Sequence, residues 1–178
     1  MSSHVQADRA MTVTTPLGPD VLLLIGLSGT ETVSSLFRFR LDLIAENRKD
    51  VAFDKLLGQK ITATLSLRND KKRYFNGICS RTSQGERDSD FTSYQLEIVP
   101  QFWLLTRKAQ SRIFQHVSVP DILKKVLDGL DVSFELQGTF HPRDFCVQYR
   151  ETDFNFACRL MEEEGIYYFF KHTADGHK

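Results

Sequence analysis

The feature that most constrains this chain is a period of two. Phe37, Phe39, Leu41 and Leu43 alternate with Arg38, Arg40 and Asp42, and Ile61, Ala63, Leu65 and Leu67 alternate with Thr62, Thr64 and Ser66. Successive side chains of an extended strand point to opposite faces, so each run presents one apolar and one polar face. Asn69-Asp70-Lys71-Lys72 supplies turn chemistry, and a strand from about Arg73 to Ser83 pairs back as a hairpin. Gly85 to Asp90 reads as a second polar turn, out of which Tyr94, Leu96 and Ile98 alternate. Val21 to Ser28 reads as a further strand ahead of a turn at Gly29-Thr30, and Phe53 to Leu57 as a short helical turn ended by Gly58. Five or six antiparallel strands joined by tight turns predict a barrel or a sandwich.

The pattern changes near Pro100. Gln101 to Thr106 reads as a short helical or irregular corner carrying the only tryptophan, Trp103. Ser118 is a good N-cap, Asp121 follows three residues on, and Pro120 falls in the first turn, where its missing N–H does no harm. Ile122, Leu123, Val126, Leu127 and Leu130 then make one apolar face, with Lys124, Lys125 and Asp128 opposite. Val132 to Leu136 is expected as a strand. A second helix is predicted from about Asp153 to Glu164, with Phe154, Ala157, Cys158, Leu160 and Met161 inward and Gly165 as its C-terminal cap. Ile166 to Phe170 is expected as a strand apolar on both faces, with its hydrogen-bond neighbour beyond Lys178. On that reading the chain is truncated relative to a longer protein, and alone it self-associates through the open edge.

Composition narrows the function. Lys plus Arg equals Asp plus Glu at 23 each, so no positive surplus exists to neutralise phosphates, and no basic run exceeds Lys71-Lys72-Arg73. This argues against a nucleic-acid partner. The 14 Phe and 5 Tyr alternate with aliphatics and read as core rather than base-stacking platforms. Cys79, Cys146 and Cys158 match no zinc or redox spacing and read as buried free thiols of a reducing compartment. The N-terminus lacks a signal-peptide pattern, and the longest apolar run, Val21 to Ile25, is far short of a membrane span. The expected location is cytoplasmic, with any export occurring without a cleaved signal.

Candidate chemistry is sparse. Glu151, Asp153, Glu162, Glu163 and Glu164 cluster in sequence, and a glycan hydrolase using them is the rival reading. The plainer reading is a solvated acidic helix end. Three glutamates in a last turn oppose the helix dipole, so something cationic, such as a partner chain, is expected nearby. His4, His116, His141, His172 and His177 show no metal-ligand spacing, although His172 and His177 could meet across a turn. No nucleophile elbow or Walker motif occurs, and Gly18, Gly26 and Gly29 are too loosely spaced to cradle phosphate. No catalytic, cofactor-binding or metal residue is assigned, and no small-molecule substrate is expected.

The stretch Val147-Gln148-Tyr149-Arg150-Glu151-Thr152-Asp153-Phe154-Asn155-Phe156, continued by Arg159-Leu160-Met161-Glu162-Glu163-Glu164-Gly165-Ile166-Tyr167-Tyr168-Phe169-Phe170, closely resembles a signature of the VgrG family of type VI secretion spike proteins. Phe37-Arg38-Phe39, Leu56-Leu57-Gly58-Gln59, Phe75-Asn76-Gly77-Ile78, Tyr94 to Pro100, Phe102-Trp103-Leu104-Leu105 and Ser111-Arg112-Ile113-Phe114-Gln115 agree in order, so the likeness covers roughly residues 10 to 175. The resemblance implies a hub like that of contractile phage tails, with two related β-barrels. It implies a homotrimer whose quasi-sixfold ring caps a hexameric, Hcp-like tube protein. Effectors or adaptors would be carried through C-terminal regions absent here, and the protein would be assembled in the cytoplasm and exported through the apparatus. It implies no enzymatic activity. The expected fold is α+β, a mainly antiparallel β barrel with two or more short helices. Residues 1–110 would form most of the first hub barrel and residues 111–178 the incomplete beginning of a second. The hub of a contractile phage or prophage tail is the alternative.

Overall fold

A computed structural model describes residues 4–7 and 9–178. They divide into two compact units, one of residues up to 31 with 37–100 and 170–177, the other of 32–36, 101–169 and 178.

The first unit is a six-stranded sheet of β1 (Met11–Thr14), β2 (Leu23–Thr30), β3 (Arg38–Glu46), β4 (Lys60–Ser66), β5 (Lys72–Arg87) and β6 (Phe91–Val99). Its order is β1-β4-β5-β6-β3-β2, and every ladder is antiparallel. The sheet curls until β1 and β2 approach one another, wrapping a single core. The alternating residues build most of that core: Phe37, Phe39, Leu41, Leu43, Ile61, Ala63, Leu96 and Ile98 are buried, Leu65 and Tyr94 are half-buried, and Leu67, past the end of β4, is exposed. Arg38 and Arg40 lie on the exposed face. Gly77 is required where β5 meets β6, since a Cβ there would stand 2.8 Å from the Val99 carbonyl oxygen. The short helical turn is present at Phe53–Lys55, with Gly58 beyond it at φ +74°.

The expectations differ from the structure at several points in this unit. Gly85 lies inside β5, which runs on to Arg87, so the turn is confined to the residues between β5 and β6. There the Asp88 carboxylate accepts the N–H groups of Asp90 and Phe91, closing the turn without glycine. Gly29 and Thr30 end β2 rather than turn. The expected strand at Ile166 to Phe170 does not form. Instead Phe170–His177 packs on the first unit, with Phe170 edge-on to Phe37 at 5.0 Å.

The second unit pairs β7 (Ala109–Val117) with β8 (Arg143–Thr152), beside a 3-10 corner at Gln101–Arg107 and the helices α1 (Val119–Val126) and α2 (Asp153–Glu163). The apolar face of α1 is buried at Ile122, Leu123, Val126 and Leu127, but the helix stops before Leu130. Ser118 does not cap through its side chain; its hydroxyl donates to the Asp121 carboxylate at 2.7 Å. Among the described residues Val132 to Leu136 has no partner strand, and it stays irregular. In α2 the Thr152 hydroxyl accepts the Asn155 N–H at the start. At the end Gly165 takes φ +67°, its N–H bonded to the Glu162 carbonyl and that of Ile166 to Met161, the two bonds of a Schellman cap. The buried stripe of α2 is rotated from the expected one. Phe156, Ala157, Leu160 and Met161 are buried, while Phe154 and Cys158 are only half-buried. Phe156 stacks on Phe114 of β7, and Phe154 meets Phe102 edge-on.

Candidate functional site

Two arginines of the same unit meet the surface glutamates of the acidic cluster. Arg143, at the start of β8, reaches Glu163 and Glu164, each at 2.5 Å. Arg159 on α2 reaches Glu151 at 2.6 Å and Glu163 at 3.2 Å. The cations expected to offset the helix dipole are thus intramolecular. Hydrogen bonds, from Arg143 first and then Arg159, hold the Glu163 carboxyl below the usual range; bonds to Glu163 and Glu164 raise the Arg143 guanidinium, and bonds to Glu151 and then Glu163 raise that of Arg159. A general acid needs the opposite, a carboxyl kept protonated by burial or by a like charge. Glu162 points to solvent.

Asp153 is separated from this surface set. It is buried at the start of α2, where Arg112 donates to Oδ1 at 2.6 Å, Gln148 to Oδ1 at 2.8 Å and Gln110 to Oδ2 at 2.7 Å. Gln148 is itself 0% exposed and accepts from Arg112 at 2.8 Å. The knot ties Gln110 and Arg112 of β7 and Gln148 of β8 to Asp153 at the start of α2. It therefore fixes the register of the ribbon against the helix rather than presenting a reactive group. The sequence reading missed Arg112 and Gln148; a polar residue between Cys146 and the helix start, on the inward phase of a strand, was the signal.

The remaining candidates scatter. His4, His116 and His141 are exposed, whereas His172 and His177 do meet across a turn, in an antiparallel bridge. Among the described residues no three His, Cys, Asp or Glu side chains gather to hold a metal. Cys79 and Cys146 are buried and Cys158 half-buried, all unpaired, and burial raises the Cys79 thiol to about 11. Among the described residues no helix is long and apolar enough to cross a membrane.

The outer face of the β7–β8 ribbon is what stands out. Cross-strand partners Ile113 and Val147 share it with Phe145 and Tyr149, and all four are exposed, Ile113 and Tyr149 by 67%. Aromatic and aliphatic side chains grouped on one sheet face in this way mark an interaction surface. The expectation that aromatics serve the core fails here. The alternation of Phe145, Val147 and Tyr149 with Cys146 and Gln148 carries the signal for this strand.

A profile of the family described as phage tail baseplate hub (GPD) matches residues 30–178. The chain belongs to the phage tail baseplate hub family. Within that hub family, it is 45% identical to the type VI secretion system spike protein VgrG1c of Pseudomonas aeruginosa over 97% of this chain and 24% of that protein. The hub chain thus spans about a quarter of the length of the curated relatives it matches. Its fold is that of the c3393 protein of E. coli, a component of the type VI secretion system with structural similarity to the T4 tail proteins gp27 and gp5. That match has TM-score 0.73 at 23% identity over 96% of this chain and 46% of the other. The 43 kDa tail protein of prophage MuSo2 from Shewanella oneidensis matches with TM-score 0.58 at 12% identity, over 93% of this chain and 50% of the other. Hub architecture therefore persists where little sequence does, and the VgrG spike proteins share both with this chain.

Proposed function

We propose that this chain is hub material of a type VI secretion spike, acting mechanically and without catalysis. In this reading the first unit is most of one hub barrel and the second unit the beginning of another. Three copies form a ring that seats on a hexameric tube protein, and effectors or adaptors ride on parts of the spike outside this segment. The ring is assembled in the cytoplasm and leaves through the apparatus without a cleaved signal. The observation that carries the reading is identity at 45% to a VgrG spike protein over 97% of the chain. The ribbon face and the ion-paired glutamates agree with it: the one suits assembly, the other leaves no poised acid. Deleting the gene and scoring export of the tube protein tests it. Export should cease and return with the wild-type gene, whereas undiminished export in a strain with no second spike gene contradicts the proposal.

The hub of a contractile phage or prophage tail is the second reading, favoured by the family match and by the prophage tail protein that shares the fold. Induced cultures of the deletion strain separate the two. Loss of phage particles, with tube-protein export intact, selects the phage reading.

A further inference from the structure

β1 is an end strand of the six-stranded sheet. It pairs with β4 on one side, and among the described residues no ladder joins its other edge to β2. Such an edge leaves N–H and C=O groups open to another chain, and natural sheets guard it with a charge, a proline, a bulge or a covering segment. β1 is short, but Met11-Thr12-Val13-Thr14 carries neither charge nor proline, and its register against β4 runs unbroken. Gln6 stands guard instead. Its side-chain amide donates to the Val13 carbonyl at 3.2 Å and accepts the Val13 N–H at 2.7 Å, the two bonds that a neighbouring strand would make. Gln6 and Val13 are both buried, so water is no substitute partner. The backbone of this segment is anchored twice. The Gln6 N–H donates to Asp20 Oδ1 at 2.8 Å, and the His4 N–H donates to Glu46 Oε1 at 2.9 Å, with the His4 ring edge-on to Phe91. A cleft of about 330 Å³ lies along the same edge, lined by Gln6, Thr12 to Thr15, Gly18 and Pro19.

We propose that residues 4–7 form a clip that occupies the free edge of β1 and keeps a second copy of this chain from pairing there. The occupant follows from the strand itself. The Val13 N–H and C=O face Gln6, so Thr12 and Thr14 bond toward β4, and the free edge belongs to Met11, Val13 and Thr15. A second β1, related by a two-fold axis, sets Val13 against Val13, and the two residues exchange the bonds that Gln6 now makes. No like charges are opposed in that ladder, because neither strand carries a charge. Thr12, Val13 and Thr14 are all β-branched, which suits a further strand. The clip prevails in the native chain because Asp20 and Glu46 hold it beside Val13, whereas a second copy is present only at its solution concentration. The device belongs to the first unit alone, whether the hub serves a secretion spike or a phage tail.

The test is Gln6→Ala in the full chain, read in two ways. Hydrogen exchange of the dilute chain, resolved to single amides, should show Val13 protection lower by about tenfold or more, with the Leu41 and Leu96 amides unchanged. Light scattering should show an average mass that climbs with concentration above that of the wild-type chain at equal concentration. Thr14→Lys puts a charge at an exposed position of the same strand. Added to Gln6→Ala, it should return the mass to the wild-type value while Val13 still exchanges fast. Unchanged Val13 protection in Gln6→Ala overturns the proposal. So does fast exchange at Val13 with a mass equal to wild type at every concentration, a mass increase that Thr14→Lys leaves in place, or parallel loss of protection at Leu41 and Leu96.

Discussion

Replacing Asp153 by alanine should unfold the second unit preferentially. The carboxylate is buried and accepts from Arg112, Gln148 and Gln110. Removing it strands a guanidinium that is 29% exposed and a glutamine that is 0% exposed. Breaking a buried pair costs about 3–5 kcal/mol, and the partial exposure of Arg112 puts this case near 3 kcal/mol. Trp103, the only tryptophan, lies in the second unit, so its fluorescence reports the transition directly. With a urea m-value of about 1 kcal/mol per molar for a unit of this size, the midpoint should fall by roughly 2–3 M. Arg112→Ala with Asp153→Ala should cost less than the sum of the two single changes by about 1 kcal/mol or more. A single-variant unfolding free energy within about 0.5 kcal/mol of wild type, the ordinary range of a surface change, would refute the assignment of Asp153 as a structural anchor.

Leu123→Asp buries an unpaired charge on the inner face of α1 and should destabilise the second unit by about 4 kcal/mol, read from the same fluorescence transition. Glu46 is held at about 2 against an ordinary 4.5 by the His4 N–H, then the His4 ring, then Arg48. The unfolded chain therefore takes up that proton first. The stabilisation is complete above about 4.5 and lost as pH falls toward 2, and Glu46→Gln should flatten the acid limb of melting temperature against pH. A neutral-pH thiol reagent should spare Cys79 in the native chain and modify all three cysteines in denaturant; fast native labelling of Cys79 would contradict its burial.

Much of the first unit was legible because one face of its strands carries the apolar core, which writes a period of two into β3 and into the apolar residues of β4 and β6. The second helix was legible from Gly165 and its apolar spacing, although Phe156, which stacks on Phe114 remote in sequence, is buried where Phe154 was expected. β7 and β8 escaped because a ribbon with an apolar outer face and a polar knot inside inverts the usual pattern. Arg112, Gln148 and Asp153 sit where a core is expected, and Phe145 and Tyr149 where solvent is. Ile166 to Phe170 carries strong strand propensity, yet propensity alone does not supply a neighbouring strand, and the chain goes to the phenylalanine cluster instead. The acidic cluster was visible, but Arg143, which neutralises its end, lies 20 residues from Glu163 and no local rule links them.

If the chain acts as the proposed hub, it should assemble in threes, and light scattering coupled to size exclusion on the hub as its gene encodes it measures that directly. One species with the mass of three chains is the expected result; a monodisperse monomer across the accessible concentration range would overturn the proposed assembly.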